Sequence, residues 1–486
     1  TRIGDASAFR DGTLAIPEKS NGVPDLLDEA RWEVDFLLKM QAPDGMAHHK
    51  VHDAAWTGLP TRPELDDQVR RLSATSTAAT LNLAAVAAQA SRLWRGIDAA
   101  YSAKLLAAAR KAYTAAKANP AKLADPDDNV GGGAYDDKTV SDEFYWAAAE
   151  LYTSTGDAAY RTDVTTSPHY KAASLSKAGF YWGGTAPLGD ITLALVPNGL
   201  PAADVTAIRS AFATVADQHL AAMAGMGYAT PYDNSVDGYV WGSNSGVLNN
   251  AQVLALAHDF TGAAKYRDGV FEALHYLLGR NPLSTSYVAG YGDQAVHNVH
   301  HRFWAHQNDP ALPTAPPGSL SGGPNSGLQD PVVQRLLVGC PQQKCWVDDI
   351  GAYSVNEVAV NWNSALAWVS GWAAEKSGTP VAKPDCEVRY DAGKYQGGLT
   401  AHVSVTNTGT TAWNGWKLAF ALPGTQRITQ GWSANWNQAG HDVTATNMPW
   451  NARIDPGKSV YIGFNASGTG SDPAAFTVNG KACKTG

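Results

Sequence analysis

Apolar positions recur with a helical period through the first three-quarters of the chain. Pro24 and Asp25 open a segment in which Leu27, Ala30, Val34, Leu37 and Leu38 share one face, and Val205, Ile208, Phe212 and Val215 repeat the pattern after Pro201 and Asp204. The same reading predicts helices near 75–94, 100–118, 141–156, 246–261, 264–279 and 357–376, joined by loops rich in Gly, Pro and Asn. Roughly ten helices with almost no strand signal between them are too many for a simple bundle. The pattern changes after Ser377-Gly378-Thr379-Pro380. Leu399, Ala401, Val403 and Val405 then alternate with polar residues, and turn signals recur at Asn407-Thr408-Gly409, Pro423-Gly424 and Asp455-Pro456-Gly457. The expected organisation is a helical domain over 1–377, a short linker at 378–385 and an antiparallel β-sandwich over 386–486.

Composition narrows the class. With 486 residues, 44% of them hydrophobic and 17% charged, the chain is globular, and its formal net charge of -8 offers no basic footprint for nucleic acid or an anionic membrane. No apolar run reaches the roughly 18 residues of a membrane span. The 4 cysteines fall into natural pairs, Cys340 with Cys345 and Cys386 with Cys483, and lack zinc-ribbon spacing. Two disulfides and a secreted protein are therefore expected. The 16 tryptophans are many for this length; flat aromatic faces suit sugar rings, although core packing must account for most of them.

Two stretches carry candidate chemistry. Glu357 follows the acidic, aromatic loop Trp346-Val347-Asp348-Asp349-Ile350-Gly351-Ala352-Tyr353 and opens an apolar helix. Held against Val358 and Val360, its carboxyl would keep a proton near neutral pH, as a general acid at a glycosidic oxygen must. A glutamate that complements a helix macrodipole is the plainer alternative. The second stretch runs from Gly279-Arg280-Asn281-Pro282 through Gly290 and Gly292 to His297-Asn298-Val299-His300-His301-Arg302. Its glycines permit a tight loop after a helix, and the basic cluster beyond them could bind a metal, hold a carboxylate or hydrogen-bond sugar hydroxyls.

Together these stretches resemble the signature regions of glycoside hydrolase family 9, the inverting endo- and exo-glucanases built on an (α/α)6 barrel. The resemblance extends over most of residues 1–377 through Asn21-Gly22-Val23-Pro24-Asp25, His48-His49-Lys50-Val51-His52-Asp53, Ser76-Thr77-Ala78-Ala79-Thr80, Ser141-Asp142-Glu143-Phe144 and Trp241-Gly242-Ser243-Asn244. It implies Glu357 as general acid, Asp348 and Tyr353 at the catalytic centre, and His300 and Arg302 holding the glucosyl unit on the non-reducing side of the cleaved bond. Trp241 and Trp56 are implied stacking platforms, with His49 or His52 beside them. Asp142, Glu143 and Asp190 are implied ligands of a structural calcium, for which a solvated helix N-terminus is the plainer reading. The chemistry itself is expected to need no cofactor. The C-terminal domain resembles a family-2 carbohydrate-binding module through its terminal cysteines, Gly415-Trp416-Lys417-Leu418, Gly431-Trp432-Ser433 and Met448-Pro449-Trp450-Asn451. That resemblance implies a flat cellulose-binding strip of Tyr395, Trp432 and Trp450; Trp416 falls on an inward strand position and belongs to the core, while Trp413 and Trp436 are open to either role, with packing the plainer one.

One departure matters. Family members carry an Asp-Ala-Gly-Asp sequence near the start of the barrel, in which an aspartate is the base that activates water, and residues 1–377 contain no such sequence. The expectation is an N-terminally incomplete barrel whose base segment lies before Thr1 or comes as a separate N-terminal fragment. The function expected is a secreted endo-β-1,4-glucanase acting on cellulose and related β-1,4-glucans with inversion. A cellulose-binding protein without catalysis is the alternative, and reducing-sugar release separates the two.

Overall fold

Alanine-rich helices packed face to face build the first part of the molecule. The computed structural model describes residues 9–232, 238–377, 385–409, 411–473 and 475–485, so most of the expected linker, 378–384, lies outside the described residues. The chain divides into two units, Thr1–Lys376 and Ser377–Gly486. In chain order the helices of the first are α1 (Asp25–Lys39), α2 (Thr77–Trp94), α3 (Ala99–Ala118), α4 (Ser141–Thr155), α5 (Ala158–Thr165), α6 (Ala186–Leu195), α7 (Ala202–Ala224), α8 (Ser243–Thr261), α9 (Ala264–Leu277), α10 (Pro331–Leu336), α11 (Tyr353–Asn356) and α12 (Val360–Lys376). Helix α2 lies against α3 and α4, and α8 lies against α7, α9 and α12. The side chains of Ser76 and Asp98 accept the Ala79 and Tyr101 N–H groups and so cap α2 and α3.

The predicted helices are present with most ends within about three residues. Three differences stand out. The helix expected from 357 begins at Val360, because Glu357 has extended backbone. Helices α5, α6, α10 and α11 were not foreseen. Two short antiparallel strand pairs also appear, β1 (Ala47–His48) with β4 (Thr75–Ser76) and β2 (Val51–Asp53) with β3 (Arg70–Leu72). Among the described residues no helix is long and apolar enough to cross a membrane.

The second unit is built of strands. One sheet has the order β16 (Lys484–Thr485), β5 (Cys386–Tyr395), β6 (Gly398–Asn407), β13 (Ser459–Ser467), β9 (Arg427–Trp432). The other runs β10 (Asn435–Ala439), β11 (Asp442–Thr446), β8 (Lys417–Ala421), β14 (Phe476–Val478), β15 (Lys481–Ala482), and β7 (Trp413–Asn414) pairs with β12 (Arg453–Ile454). Val388, Val403 and Phe464 from the first sheet and Leu418, Phe420 and Phe476 from the second meet in one core, which also takes in Trp416. The expected antiparallel order fails at one pair, since β16 runs parallel to β5. The bond between Cys483, just before β16, and Cys386, at the start of β5, holds the beginnings of the two strands together.

Candidate active site

Glu357 is pinned by its own backbone before its side chain does anything. The His300 N–H donates to the Asn356 carbonyl at 2.8 Å, and the Gly322 N–H donates to the Glu357 carbonyl at 2.9 Å, so this residue lies between two flanking segments as a strand lies in a sheet. Helix α11, which precedes it, is fixed by Asp330, whose carboxylate caps α10 and also accepts the Ser354 N–H and hydroxyl at 2.9 and 2.6 Å. Asn356 is fully buried and works as a hub. Its amide donates to the Asn298 carbonyl at 2.5 Å, and its side-chain oxygen accepts the Ser321 hydroxyl at 2.8 Å.

The Glu357 side chain points among aromatics. Its Oε2 accepts the Trp241 indole N–H at 3.1 Å. Burial pushes its pKa above the ordinary carboxylate value, while the Trp241 hydrogen bond and the Arg302 charge pull the other way. The apolar surround was expected from Val358 and Val360. Val360 is instead 85% exposed, and the enclosing surface comes from rings brought by other loops. Trp241 lies 5.8 Å from Tyr353, and His300 lies edge-on to Tyr353 at 5.6 Å.

Two further aromatics were missed in the sequence, Tyr135 and Trp182, whose rings meet edge-on at 5.4 Å. Burial and then the Glu357 charge raise the Tyr135 phenol, which puts Tyr135 within electrostatic reach of that carboxyl. The signal was the glycine run before it. A Cβ at Gly131 would fall 1.9 Å from the Asp53 carbonyl oxygen, and one at Gly132 would fall 3.1 Å from His52, so only glycine lets this loop lie on β2. Lys50 fixes the same loop by donating to the carbonyls of Asp128 and Gly133.

The remaining candidates divide by what their polar atoms already hold. His300 donates or accepts through Nδ1 at the Ile350 carbonyl, 2.6 Å away, and because that carbonyl can only accept, Nδ1 carries the proton. Burial lowers the imidazole below its ordinary pKa, which favours the neutral ring with Nε2 as an acceptor. Arg302 donates Nε–H to the Thr57 carbonyl at 2.8 Å, next to the exposed Trp56. His49 is held at both nitrogens, by Ser76 Oγ at 2.9 Å and the Ala134 carbonyl at 3.0 Å. Asp348, expected at the catalytic centre, accepts the backbone N–H groups of His297 and Asn298 at 2.9 and 2.8 Å, one on each oxygen.

Asp142, Glu143 and Asp190 are buried, and each has a carboxylate oxygen with no partner. Burial and the neighbouring Asp142 push Glu143 up to about 9, and burial pushes Asp190 up to about 7. Such oxygens are the donor set of a hard cation. The trio does not converge, however, and among the described residues no three His, Cys, Asp or Glu side chains form a metal-ligand group. Asp190 is held elsewhere, by the Tyr145 hydroxyl at 2.7 Å and the Ala172 N–H at 3.1 Å.

On the second unit, Tyr395 and Trp450 are largely exposed and Trp432 is half-buried, whereas Trp413 and Trp436 pack against the core. Both cysteine pairs are bonded, Cys340 to Cys345 and Cys386 to Cys483.

Comparison with known proteins supplies the context. Residues 7–370 match the family model described as Glycosyl hydrolase family 9, and residues 386–483 match that described as Cellulose binding domain. The chain is 48% identical over 441 residues to Endoglucanase C of Cellulomonas fimi, covering 87% of this chain and 40% of that protein. It is 44% identical over 401 residues to the cellulose 1,4-beta-cellobiosidase of Acetivibrio thermocellus, covering 77% and 45% respectively. The chain thus spans less than half the length of either relative. Among solved structures, a single-mutant thermostable endoglucanase from Alicyclobacillus acidocaldarius aligns with a TM-score of 0.70 at 30% identity, over 77% of this chain and 71% of that one. Glu357, the loops that pin it and the rings around it lie within the matched residues, and the chain belongs to glycosyl hydrolase family 9.

Proposed function

We propose that this chain is the catalytic and cellulose-binding portion of a secreted endo-β-1,4-glucanase that cleaves with inversion. The observation that carries the reading is the placement of Glu357, whose carboxylate accepts the Trp241 indole N–H at 3.1 Å beside exposed aromatic surface and whose pKa is raised by burial. Glu357 is the general acid that protonates the departing glycosidic oxygen. Trp241 orients it through the 3.1 Å hydrogen bond. His300, Arg302 and Tyr353 hold the sugar on the non-reducing side, and Trp241, Trp182 and Trp56 offer stacking faces. Asp348 is a positioning residue that fixes the turn from which His300 and Arg302 project. The helical unit is read as an (α/α)6 barrel over 1–377, followed by a carbohydrate-binding sandwich over 386–486.

An inverting site needs a second carboxyl that activates water. We place that base on a segment bearing Asp-Ala-Gly-Asp, seated in a cavity of about 420 Å³ between α1 and α2, lined by Phe36, Leu37, Met40, Leu83, Val86 and Tyr135. Asn82, Asp137 and Glu143 also line the cavity, and each has a buried side-chain oxygen without a hydrogen-bond partner. Apolar walls with a few unpartnered polar groups suit a peptide segment that brings apolar side chains and its own hydrogen-bonding groups.

Two measurements test this reading. Removal of residues 385–486 should weaken adsorption to crystalline cellulose far more than hydrolysis of soluble cellodextrins; equal losses would contradict the division of labour. Addition of an N-terminal polypeptide bearing the Asp-Ala-Gly-Asp segment should raise activity and protect Phe36 and Leu83 from hydrogen exchange. No protection at saturating peptide would contradict the seat.

A further inference from the structure

Strand β13 shows where a polysaccharide track would run. Its outward residues are Ser459, Tyr461, Gly463, Asn465 and Ser467, alternating with Val460, Ile462, Phe464 and Ala466 in the core. Gly463 stands directly opposite Trp432 on β9 and His402 on β6. A methyl group at position 463 would fall 2.2 Å from Cζ2 of Trp432, so the indole lies flat across the glycine instead of standing off the edge strand. Tyr395 repeats the device, covering Gly398, where a methyl would fall 2.9 Å from Cε2 of the phenol ring. Gly398 in turn is paired with Ser467.

Measured along β13, the two rings therefore rest level with positions 467 and 463, about 13–14 Å apart at 3.3–3.4 Å per residue. Tyr461 is the next outward residue in the same direction, about 7 Å beyond Trp432 by the same rise. It is 74% exposed. The loop carrying Trp450 is tied to the same end, since the Asn451 amide donates to the Ser433 carbonyl at 2.8 Å, just past β9. Across the sheet from Tyr461 stand Ser404 and then Arg389, which are hydrogen-bond donors for hydroxyl groups. An exposed tyrosine in a strand can reflect β-propensity alone, but this one continues the line set by two glycine-cradled rings.

We infer that Tyr461 is a further aromatic contact for a β-1,4-glucan chain, extending the track beyond Tyr395, Trp432 and Trp450. The inference rests on the reading of the second unit as cellulose-binding. It is tested with adsorption isotherms of the whole protein on crystalline cellulose, comparing Tyr461→Ala, Tyr461→Phe and Trp432→Ala with the parent. Tyr461→Ala should weaken binding roughly three- to tenfold, the range of one aromatic contact, with an unchanged melting curve. Tyr461→Phe keeps the ring and should bind as the parent does. Parent-like binding by Tyr461→Ala, alongside weakened binding by Trp432→Ala, would overturn the inference and leave the binding face intact. Equal losses in the Ala and Phe variants would also overturn it, since the ring would not be the contact. Parent-like binding by both Ala variants would overturn the reading of the face itself.

Discussion

Replacing Glu357 with glutamine removes a proton donor and little else. The backbone at 357 stays pinned by the His300–Asn356 and Gly322–Glu357 hydrogen bonds, and the new amide oxygen can still accept the Trp241 N–H at the present 3.1 Å. Binding geometry should therefore survive, and the loss should appear in kcat with KM nearly unchanged. General-acid assistance is worth about 10²- to 10⁴-fold, equivalent to roughly 3–5 kcal/mol at about 1.4 kcal/mol per tenfold. The assay is reducing-sugar release from soluble cellodextrins by a preparation that turns them over. A parallel series on aryl cellobiosides with leaving groups of falling pKa supplies the internal control, because a good leaving group needs little protonation. The deficit should shrink along that series. Near-parent kcat on cellodextrins, or a deficit independent of the leaving group, would refute the assignment.

Other consequences follow from the same contacts. Trp241→Phe deletes a donor that favours ionised Glu357; its pKa should rise further, and since the acid works protonated, the alkaline limb of kcat/KM should move to higher pH. Movement to lower pH would contradict the assigned hydrogen bond. Asp348→Asn can no longer accept two backbone N–H groups as a carboxylate, so it should lower stability by about 2–3 kcal/mol and reduce activity, with the shape of the pH profile unchanged. Loss of the acidic limb would mark Asp348 as the base instead. Glu143, raised from its ordinary 4.5 to about 9, binds its proton more tightly folded than unfolded. Its contribution is thus present at low pH and lost as pH rises from about 4.5 toward 9. The melting temperature should therefore fall as pH rises across that window, and Glu143→Gln should flatten the decline; identical slopes in parent and variant would argue against the raised Glu143 carboxyl.

Much of this architecture can be read from the chain, for identifiable reasons. Helices with one buried stripe, such as α1 with Leu27 and Val34, announce themselves by period. Helix α6 does not, because Pro187, Gly189 and Thr192 are poor helix formers and most of its residues are buried, leaving no polar face. Gly189 is there for closeness, since a Cβ would fall 3.0 Å from the Tyr145 ring. At the site, the signature around Glu357 was legible, but its surroundings came from far along the chain. Trp241 and Tyr135 are brought to Glu357 by tertiary packing; Trp241 was legible through the family resemblance, whereas the only trace of Tyr135 was the glycine run before it. Of the two neighbouring valines only Val358 packs into the core, because the extended backbone at Glu357 precedes a helix whose first residue, Val360, faces solvent. Asp348 is the converse case: a carboxylate in a signature segment whose two oxygens accept the His297 and Asn298 N–H groups, contacts with residues some fifty positions away that no local pattern announces.

The central claim is hydrolysis of β-1,4-glucan by a single displacement with Glu357 as acid. Proton NMR of the products formed in the first moments of reaction tests it most directly, before mutarotation scrambles the anomers. Inversion predicts that the new reducing end appears first as the α-anomer and only later equilibrates. Initial appearance of the β-anomer would mean a covalent intermediate and two carboxyl groups closer together than an inverting site allows, and would contradict the account.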